Sequence, residues 1–519
     1  MMGVRRLARD PLPWALAAVV LVRITTLGAY ALTDTTEARY AEIARKMVEL
    51  GDGITPWFDY GVPFWGKPPL SFWLTATSYK LFGINEFAAR LPHFLGALVV
   101  IWLIWDWLAA RSRREAKLAA VLLSGSALFF IASGAVMTDM TLTIGTTLSM
   151  RGFWLGLHGT ETQRRRERWL LFLGLAVGML AKGPIVLVFV GLPIAAWTWT
   201  LGKPAAVWRA IPWLRGSFLT LALAGPWYLL AEWRTPGFLD YFLVGEHWQR
   251  YVVSGWSGDL YGGAHAFPPG SIWLFAAAAL LPWSFLLPIV ALRWRKSAQP
   301  TIRLDRTECA RRFYLLFFGL APCVFFSFAS NILWTYALPG LPALALLGAA
   351  WLAQFPDVRA NRILVAGTAF MLIVFAGYLA NSEMAGRLEM RSAKSLVEDY
   401  EQQRSGSEPL IFLGQRPISG VFYSRGKAYL VPDAAQLARR MADGPVFVAV
   451  RIHTLPLLPT EVREMLKSIA RHGEYELLYS PSHGVNTKAG KPTPSSTSWL
   501  IRSYPERHAS KPEDYACRV

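Results

Sequence analysis

Residues 90–110 read RLPHFLGALVVIWLIWDWLAA, and RSRREAK follows at 111–117. The first stretch is long and apolar enough to cross a bilayer as a helix, which takes about 20 residues. The second places Arg111, Arg113, Arg114 and Lys117 directly behind it. An apolar run ending in a basic flank is the mark of a polytopic membrane protein whose cytoplasmic loops collect Lys and Arg. Further runs lie near 13–32, 116–134, 137–157, 168–181, 184–201, 216–233, 270–292, 312–329, 332–353 and 362–380. Residues 69–83 are apolar but short, and AKGP at 181–184 splits a closely spaced pair. The expectation is an α-helical polytopic membrane protein with about 11–13 transmembrane helices.

Composition points the same way. Of 519 residues, 53% are hydrophobic and 17% charged, against about 25% charged in a soluble domain. Mean hydropathy is +0.30. The net charge of +18 could suggest nucleic acid, but the basic residues gather in short loops between apolar runs, so no nucleic-acid partner is expected. The partners implied are membrane lipids. Cys309, Cys323 and Cys517 are far apart and form no CxxC, so neither a disulfide framework nor a cysteine metal site is expected. The N-terminal MMGVRRLARDPLPWALAAVVLV lacks a small-residue cleavage site close behind its apolar run and reads as a retained first span.

The basic loops assign sides. RRLAR, RSRREAK, TQRRRER, GKPAAVWRAIPWLR, RWRKSAQPTIRLDRTECARR and DVRANR fall on one side, the cytoplasmic one. The other side receives loops 33–68 and 234–269 and the tail from 381. The first of these loops sets Asp34, Glu37, Glu42, Glu49, Asp52 and Asp59 against Arg39, Arg45, Lys46 and Lys67. Residues 1–380 read as a transmembrane domain and 381–519 as a small α/β domain outside the membrane. In the latter PLIFLG, AYLV, PVFVAV, YELLYS and SWLIR suggest strands. DAAQLARRMADG and PTEVREMLKSIARHG suggest amphipathic helices ending at glycine.

With this topology the unusual polar residues meet at one interface. Asp34, Glu37, Arg39, Tyr40 and Lys67 occupy the first outer loop. Asp139 lies just inside the outer end of a span, Lys182 in the turn LAKGP, and Glu246, His247 and Arg250 in GEHWQRY. Tyr336 follows Asn331 in SNILWTY. Lys182 near a helix end is equally well read as a snorkelling residue. His247 is better read as hydrogen-bonded than as a ligand, since one His beside one Glu makes no metal site. Asp139 is deeper than a cap requires, and an ionisable residue inside a span points to function. Trp57, Trp65 and Trp73 read as interface anchors.

No P-loop, dinucleotide fingerprint, HExxH or GxSxG occurs in a supporting context. At an outer membrane face the available activated donor is a lipid-linked phosphate. Transfer from it needs a carboxylate to take the acceptor's proton and cations to stabilise the departing phosphate.

DTTEARYAEIARKM at 34–47 with GVPFWGKPPLSFW at 61–73 resembles the bacterial membrane glycosyltransferases of the protein-O-mannosyltransferase-like superfamily, with the GT-C fold. It is most similar to those that move 4-amino-4-deoxy-L-arabinose from undecaprenyl phosphate to lipid A. LAKGP, EHWQRY and TYALPGLPALALL extend the likeness over roughly residues 10–380. The resemblance implies a polyprenyl-phosphate sugar donor and lipid A or another envelope acceptor at a bacterial inner membrane, with the site on the periplasmic side. It implies that Lys67 binds the carrier phosphate with Arg250 and Tyr336. It implies Asp34 or Glu37 as the carboxylate near the reacting hydroxyl, Asp139 as a second acid, and Arg39, Tyr40, Lys182, Glu246 and His247 as supporting residues. Thr36 stands where the family usually shows Asp, and Gly66 where it often shows a Glu that helps hold a metal. No cofactor or metal is therefore expected. Protein O-mannosylation is a related alternative. An anionic-lipid transporter would put polar residues at mid-membrane and show repeated halves, and neither pattern is visible.

Overall fold

The computed structural model describes residues 10–202, 204–263, 265–294, 305–384 and 389–481. A helix or a broken helix pair lies on every stretch expected to span. Among the described residues, Glu86–Ala109, Arg306–Phe326, Trp334–Leu352 and Asp357–Ser382 are long and apolar enough to cross a membrane. Ser271–Ala279 and Trp283–Leu292, bent by 86°, make a fifth candidate if taken as one span.

Three expectations change in detail. Residues 116–134 are not one helix but Arg113–Ser124 and Ala127–Ala132. The break falls at Gly125, where a Cβ would stand 2.7 Å from the Trp283 ring, and the Ser126 hydroxyl caps back onto the Leu122 carbonyl. Residues 270–292 turn sharply at Leu280–Pro282, because proline cannot continue the hydrogen-bond ladder. The run 168–181 is the end of a longer helix, Glu161–Lys182, started by a capping box between Thr160 and Gln163.

The central pair, Thr138–His158 and Glu161–Lys182, runs antiparallel at very short range. A Cβ on Gly145 would sit 2.7 Å from the Gly174 carbonyl oxygen, and one on Gly152 would sit 2.5 Å from the Leu171 nitrogen. Small residues permit this approach where lipid supplies no hydrophobic drive between helices. The hydroxyls of Ser149 and Thr220 donate to Leu171 and Phe172 carbonyls, so the helix stack also closes through polar contacts. This pair carries Asp139 in the first turn of one helix and Lys182 in the last turn of the other, which brings both to the same end.

Residues 389–481 build a five-stranded sheet in the order Tyr429–Val431, Leu410–Leu413, Val446–Arg451, Tyr475–Ser480, Lys467–His472. The first three strands are parallel and the last two antiparallel. DAAQLARRMADG forms the helix Ala434–Asp443, capped by Asp433. PTEVREMLKSIARHG does not form one helix. It gives a short turn, Thr460–Glu464, and then the strand Lys467–His472, which pairs with Tyr475–Ser480. Cross-strand pairing at the sheet edge overrides the helical spacing there. SWLIR lies outside the described residues.

The sheet region is fastened to the first outer loop. The helix Ile418–Tyr423 presents the Ser419 N–H to Asp34 Oδ1 at 2.9 Å, and the Ser419 hydroxyl meets Oδ2. Arg416 reaches Asp59 at 2.7 Å, and Lys394 reaches Glu86 at 2.8 Å. The Tyr423 hydroxyl donates to Glu86 at 3.0 Å and accepts the Leu32 N–H.

Candidate functional site

The two outer loops and four helix ends enclose a polar cavity of about 610 Å³. Asp34, Glu37, Arg39, Tyr40, Lys67, Asp139, Lys182, Glu246, Arg250 and Tyr336 all line it. A second cavity of about 230 Å³ adjoins it, walled by Ile185, Val188, Phe325 and Phe326 among others. Lys67, Lys182, Glu246, Arg250 and Tyr336 line both. The larger chamber and a smaller one with one apolar side therefore share a wall that carries three cations. His247 lines only the second.

The ring of GVPFWGKPPLSFW fixes Lys67. Phe64 packs edge-on against Tyr40 and Phe72 and tilts onto Tyr261 at 4.6 Å. The Tyr261 hydroxyl bridges the Trp65 N–H and the Pro63 carbonyl. Pro68 and Pro69 lead straight into the helix Leu70–Phe82, so the ammonium is held at one depth. It lies 3.6 Å from Glu246. Burial pushes the Lys67 ammonium pKa down; Glu246 opposes this, and the nearby Arg250 and Lys182 charges add to it.

Arg250 follows a π-helical stretch, Tyr241–Gln249. Its NH1 contacts Glu246 and Asp259, each at 3.1 Å. Asn331 anchors this segment by donating to the Arg250 and Val253 carbonyls at 2.6 and 2.7 Å. Lys182 pairs with Asp139 Oδ1 at 2.6 Å and lies 4.5 Å from the centre of the Tyr336 ring. That ring stacks on Phe326. The His247 Nδ1 is 2.7 Å from the Phe242 carbonyl, and burial lowers the imidazole pKa. His247 thus braces the LAKGP turn, where a Cβ on Gly183 would come 3.2 Å from its ring.

The three acids are not equivalent. Glu37 is bound at both oxygens by Arg90, at 2.8 and 3.0 Å, and accepts the Thr33 and Val136 N–H groups. Burial works to raise its pKa, but the Arg90 charge and these hydrogen bonds outweigh it and hold the carboxyl below its usual range. Asp34 is tied to Ser419; burial raises its pKa despite those hydrogen bonds. Asp139 keeps Oδ2 without a protein partner among the described residues, while Oδ1 holds Lys182. It is the acid with an oxygen left over for a ligand.

Gly66, at the position where the resemblance often has Glu, has a steric explanation. A Cβ there would stand 2.8 Å from the Phe64 ring and 3.4 Å from Glu246 Oε1. The carboxylate beside Lys67 arrives instead from the second outer loop. Among the described residues, no three of His, Cys, Asp or Glu converge to hold a metal ion.

Arg39 differs from the other cations. It has no carboxylate partner among the described residues, its Nε is buried without a hydrogen bond, and its guanidinium lies 6.0 Å from the Phe58 ring centre. The sequence reading missed Asp259, Arg90 and Ser419. The signal for Arg90 was available, since a charged residue opens the apolar run 90–110.

Residues 18–242 match the family described as dolichyl-phosphate-mannose-protein mannosyltransferase. The backbone superposes on ArnT from Cupriavidus metallidurans, both bound to undecaprenyl phosphate and in the apo state. The TM-scores are 0.73 and 0.74, over 92% of this chain and 98% of that one. The chain has the GT-C fold of those structures. At 20% and 19% identity, they speak for the fold rather than the substrate. Among relatives, the undecaprenyl phosphate-alpha-4-amino-4-deoxy-L-arabinose arabinosyl transferase 1 of Pseudomonas fluorescens is 28% identical over 76% of this chain and 66% of its own length. The corresponding transferase of Yersinia enterocolitica is 32% identical over 68% and 61%. The chain spans between 55% and 66% of the length of these and further curated relatives.

Proposed function

We propose that the protein is an integral-membrane glycosyltransferase that moves a sugar from a polyprenyl phosphate donor to lipid A or another cell-envelope acceptor. The sugar is that of the relatives, 4-amino-4-deoxy-L-arabinose on undecaprenyl phosphate. The carrying observation is the wall shared by the two cavities. The prenyl chain enters along the apolar side of the smaller chamber, past Ile185, Val188, Phe325 and Phe326, its phosphate meets Lys67, Arg250 and Tyr336 on the shared wall, and the sugar projects into the larger chamber. There the free oxygen of Asp139 takes the proton from the attacking acceptor oxygen. Arg39, with no carboxylate partner among the described residues, suits an anionic group on the acceptor. Glu37 and Asp34 shape the chamber through Arg90 and Ser419 rather than by proton transfer.

Residues 1–380 carry this chemistry, and within the tail 381–519 the sheet region 389–481 forms an outer unit that steadies the first loop. The basic loops favour a cytoplasmic N-terminus in the bacterial inner membrane, with the site periplasmic. A native mass spectrum of the protein extracted with its own lipids tests the donor. Retained polyprenyl phosphate supports the reading, and retention of phospholipid alone opposes it.

The Lys67 ammonium adds a pH signature. It carries its charge below its lowered pKa and loses it as pH rises through that value. Affinity for polyprenyl phosphate is expected to decline on the alkaline side before an ordinary lysine titrates, as read by binding titrations in nanodiscs. An affinity that stays flat up to the ordinary lysine range would contradict this placement of Lys67.

A further inference from the structure

The cations facing the carrier phosphate come with two carboxylates that the transfer step does not use. Glu246 Oε2 lies 3.6 Å from Lys67 and 3.1 Å from Arg250 NH1, so it bridges both. Asp259 Oδ2 takes the same NH1 at 3.1 Å, while its Oδ1 accepts the Tyr261 N–H at 3.0 Å. Both side chains are nearly sealed from solvent, at 6% and 7% exposed. Nε of Arg250 is buried with no hydrogen-bond partner among the described residues, so the guanidinium retains capacity for a ligand. Asp139 is separate from this group, since its partner is Lys182.

Resting on the transferase reading, we propose that Glu246 and Asp259 are internal competitors of the carrier phosphate: they hold Lys67 and Arg250 in the empty site and reclaim them to expel the spent carrier. The reaction raises the negative charge on the carrier. The donor is a phosphodiester with one negative charge. The acceptor oxygen bonds to the anomeric carbon and gives up its proton. The bond from that carbon to the phosphate oxygen breaks, and its electron pair stays on the phosphate. The spent carrier is then a monoester with about −1.5 to −2 charges at pH 7.

Charge interactions in a partly buried site are stronger than in water. Two unpaired cations would therefore grip the product more tightly than the substrate, and release would limit turnover, as it does in many enzymes. Carboxylates within reach reduce that difference. A phosphate entering the site must displace them, and a phosphate leaving it is replaced by them. They also spare the empty site two uncompensated buried cations. Both are positioning residues, since they touch the cations and not the reacting atoms.

Glu246→Gln and Asp259→Asn in the full-length protein, reconstituted in nanodiscs, test this with undecaprenyl phosphate and its sugar-charged form as ligands. Each variant is expected to bind undecaprenyl phosphate about tenfold more tightly, one tenfold step being the scale of a single modest charge contact. Affinity for the charged donor should rise less. Rapid-quench transfer should show a burst followed by slowed turnover, with stronger inhibition by added undecaprenyl phosphate. Weaker binding of both ligands in both variants would overturn the proposal and make these acids simple posts for the cations. Equal shifts for donor and carrier, unchanged affinities, or no burst would also overturn it. Should wild-type protein fail to bind undecaprenyl phosphate at all, the transferase reading falls and takes the proposal with it. Wild-type binding with unaltered variants sinks the proposal alone.

Discussion

Lys67→Ala is expected to lower transfer about a hundred- to a thousand-fold, the scale seen when one preorganised group facing developing charge is removed. Loss of carrier affinity should accompany the loss of rate, because the same ammonium meets the phosphate before and after the bond breaks. The fold should survive, since the Lys67 ammonium contributes only a local bond to the Gly66 carbonyl at 2.5 Å and a contact to Glu246 at 3.6 Å, and the aromatic packing of Phe64 and Tyr261 around it remains. Binding of undecaprenyl phosphate and steady-state transfer measured together check this. Full affinity and turnover in the variant would remove Lys67 from the phosphate site. Lys67→Arg is a useful companion, because a guanidinium keeps the charge but not the compact geometry.

The second large effect is expected at Asp139. Asp139→Asn should cost about 10²–10⁴ in turnover, the range for losing a positioned general base, with a smaller change in donor affinity. An amide can still hydrogen-bond but cannot take a proton. The contrast with the other acids makes the result diagnostic. Glu37→Gln strips the buried Arg90 guanidinium of its counter-ion. Breaking such a pair costs about 3–5 kcal/mol of stability, so its signature is a lower melting temperature and poor yield. Turnover in Asp139→Asn matching wild type would send the search for the base back to Asp34 and Glu37.

The helices were legible because apolar runs and basic flanks are local signals. The breaks were harder. Gly125 and Pro282 interrupt helices for reasons of packing and backbone chemistry that a hydropathy window averages away. The strand Lys467–His472 depends on its neighbour Tyr475–Ser480, and its own spacing reads as helical.

The candidate residues could be grouped from the sequence because the expected topology put them at one interface, and all but His247 line the larger cavity. Their pairings were not visible. Asp34 meets Ser419 from 385 residues away, and Glu37 meets Arg90 across 53. Such contacts depend on where the sheet region and the apolar run 90–110 come to rest. The sequence put Asp34 or Glu37 ahead of Asp139, and only geometry separates Asp139 from the two that are already bound. Gly66 illustrates the reverse case. Its lack of a side chain looked like a missing carboxylate, but Glu246 occupies the space beside it.

The central claim is transfer from a lipid-phosphate donor across the wall shared by the two cavities. The most direct measurement uses purified protein in lipid, undecaprenyl phosphate carrying radiolabelled 4-amino-4-deoxy-L-arabinose, and lipid A, followed by separation of labelled lipids. Label is expected in lipid A, with release of undecaprenyl phosphate in equal amount and loss of both in Lys67→Ala. Donor that binds but yields no label in lipid A or any other envelope acceptor would contradict the claim.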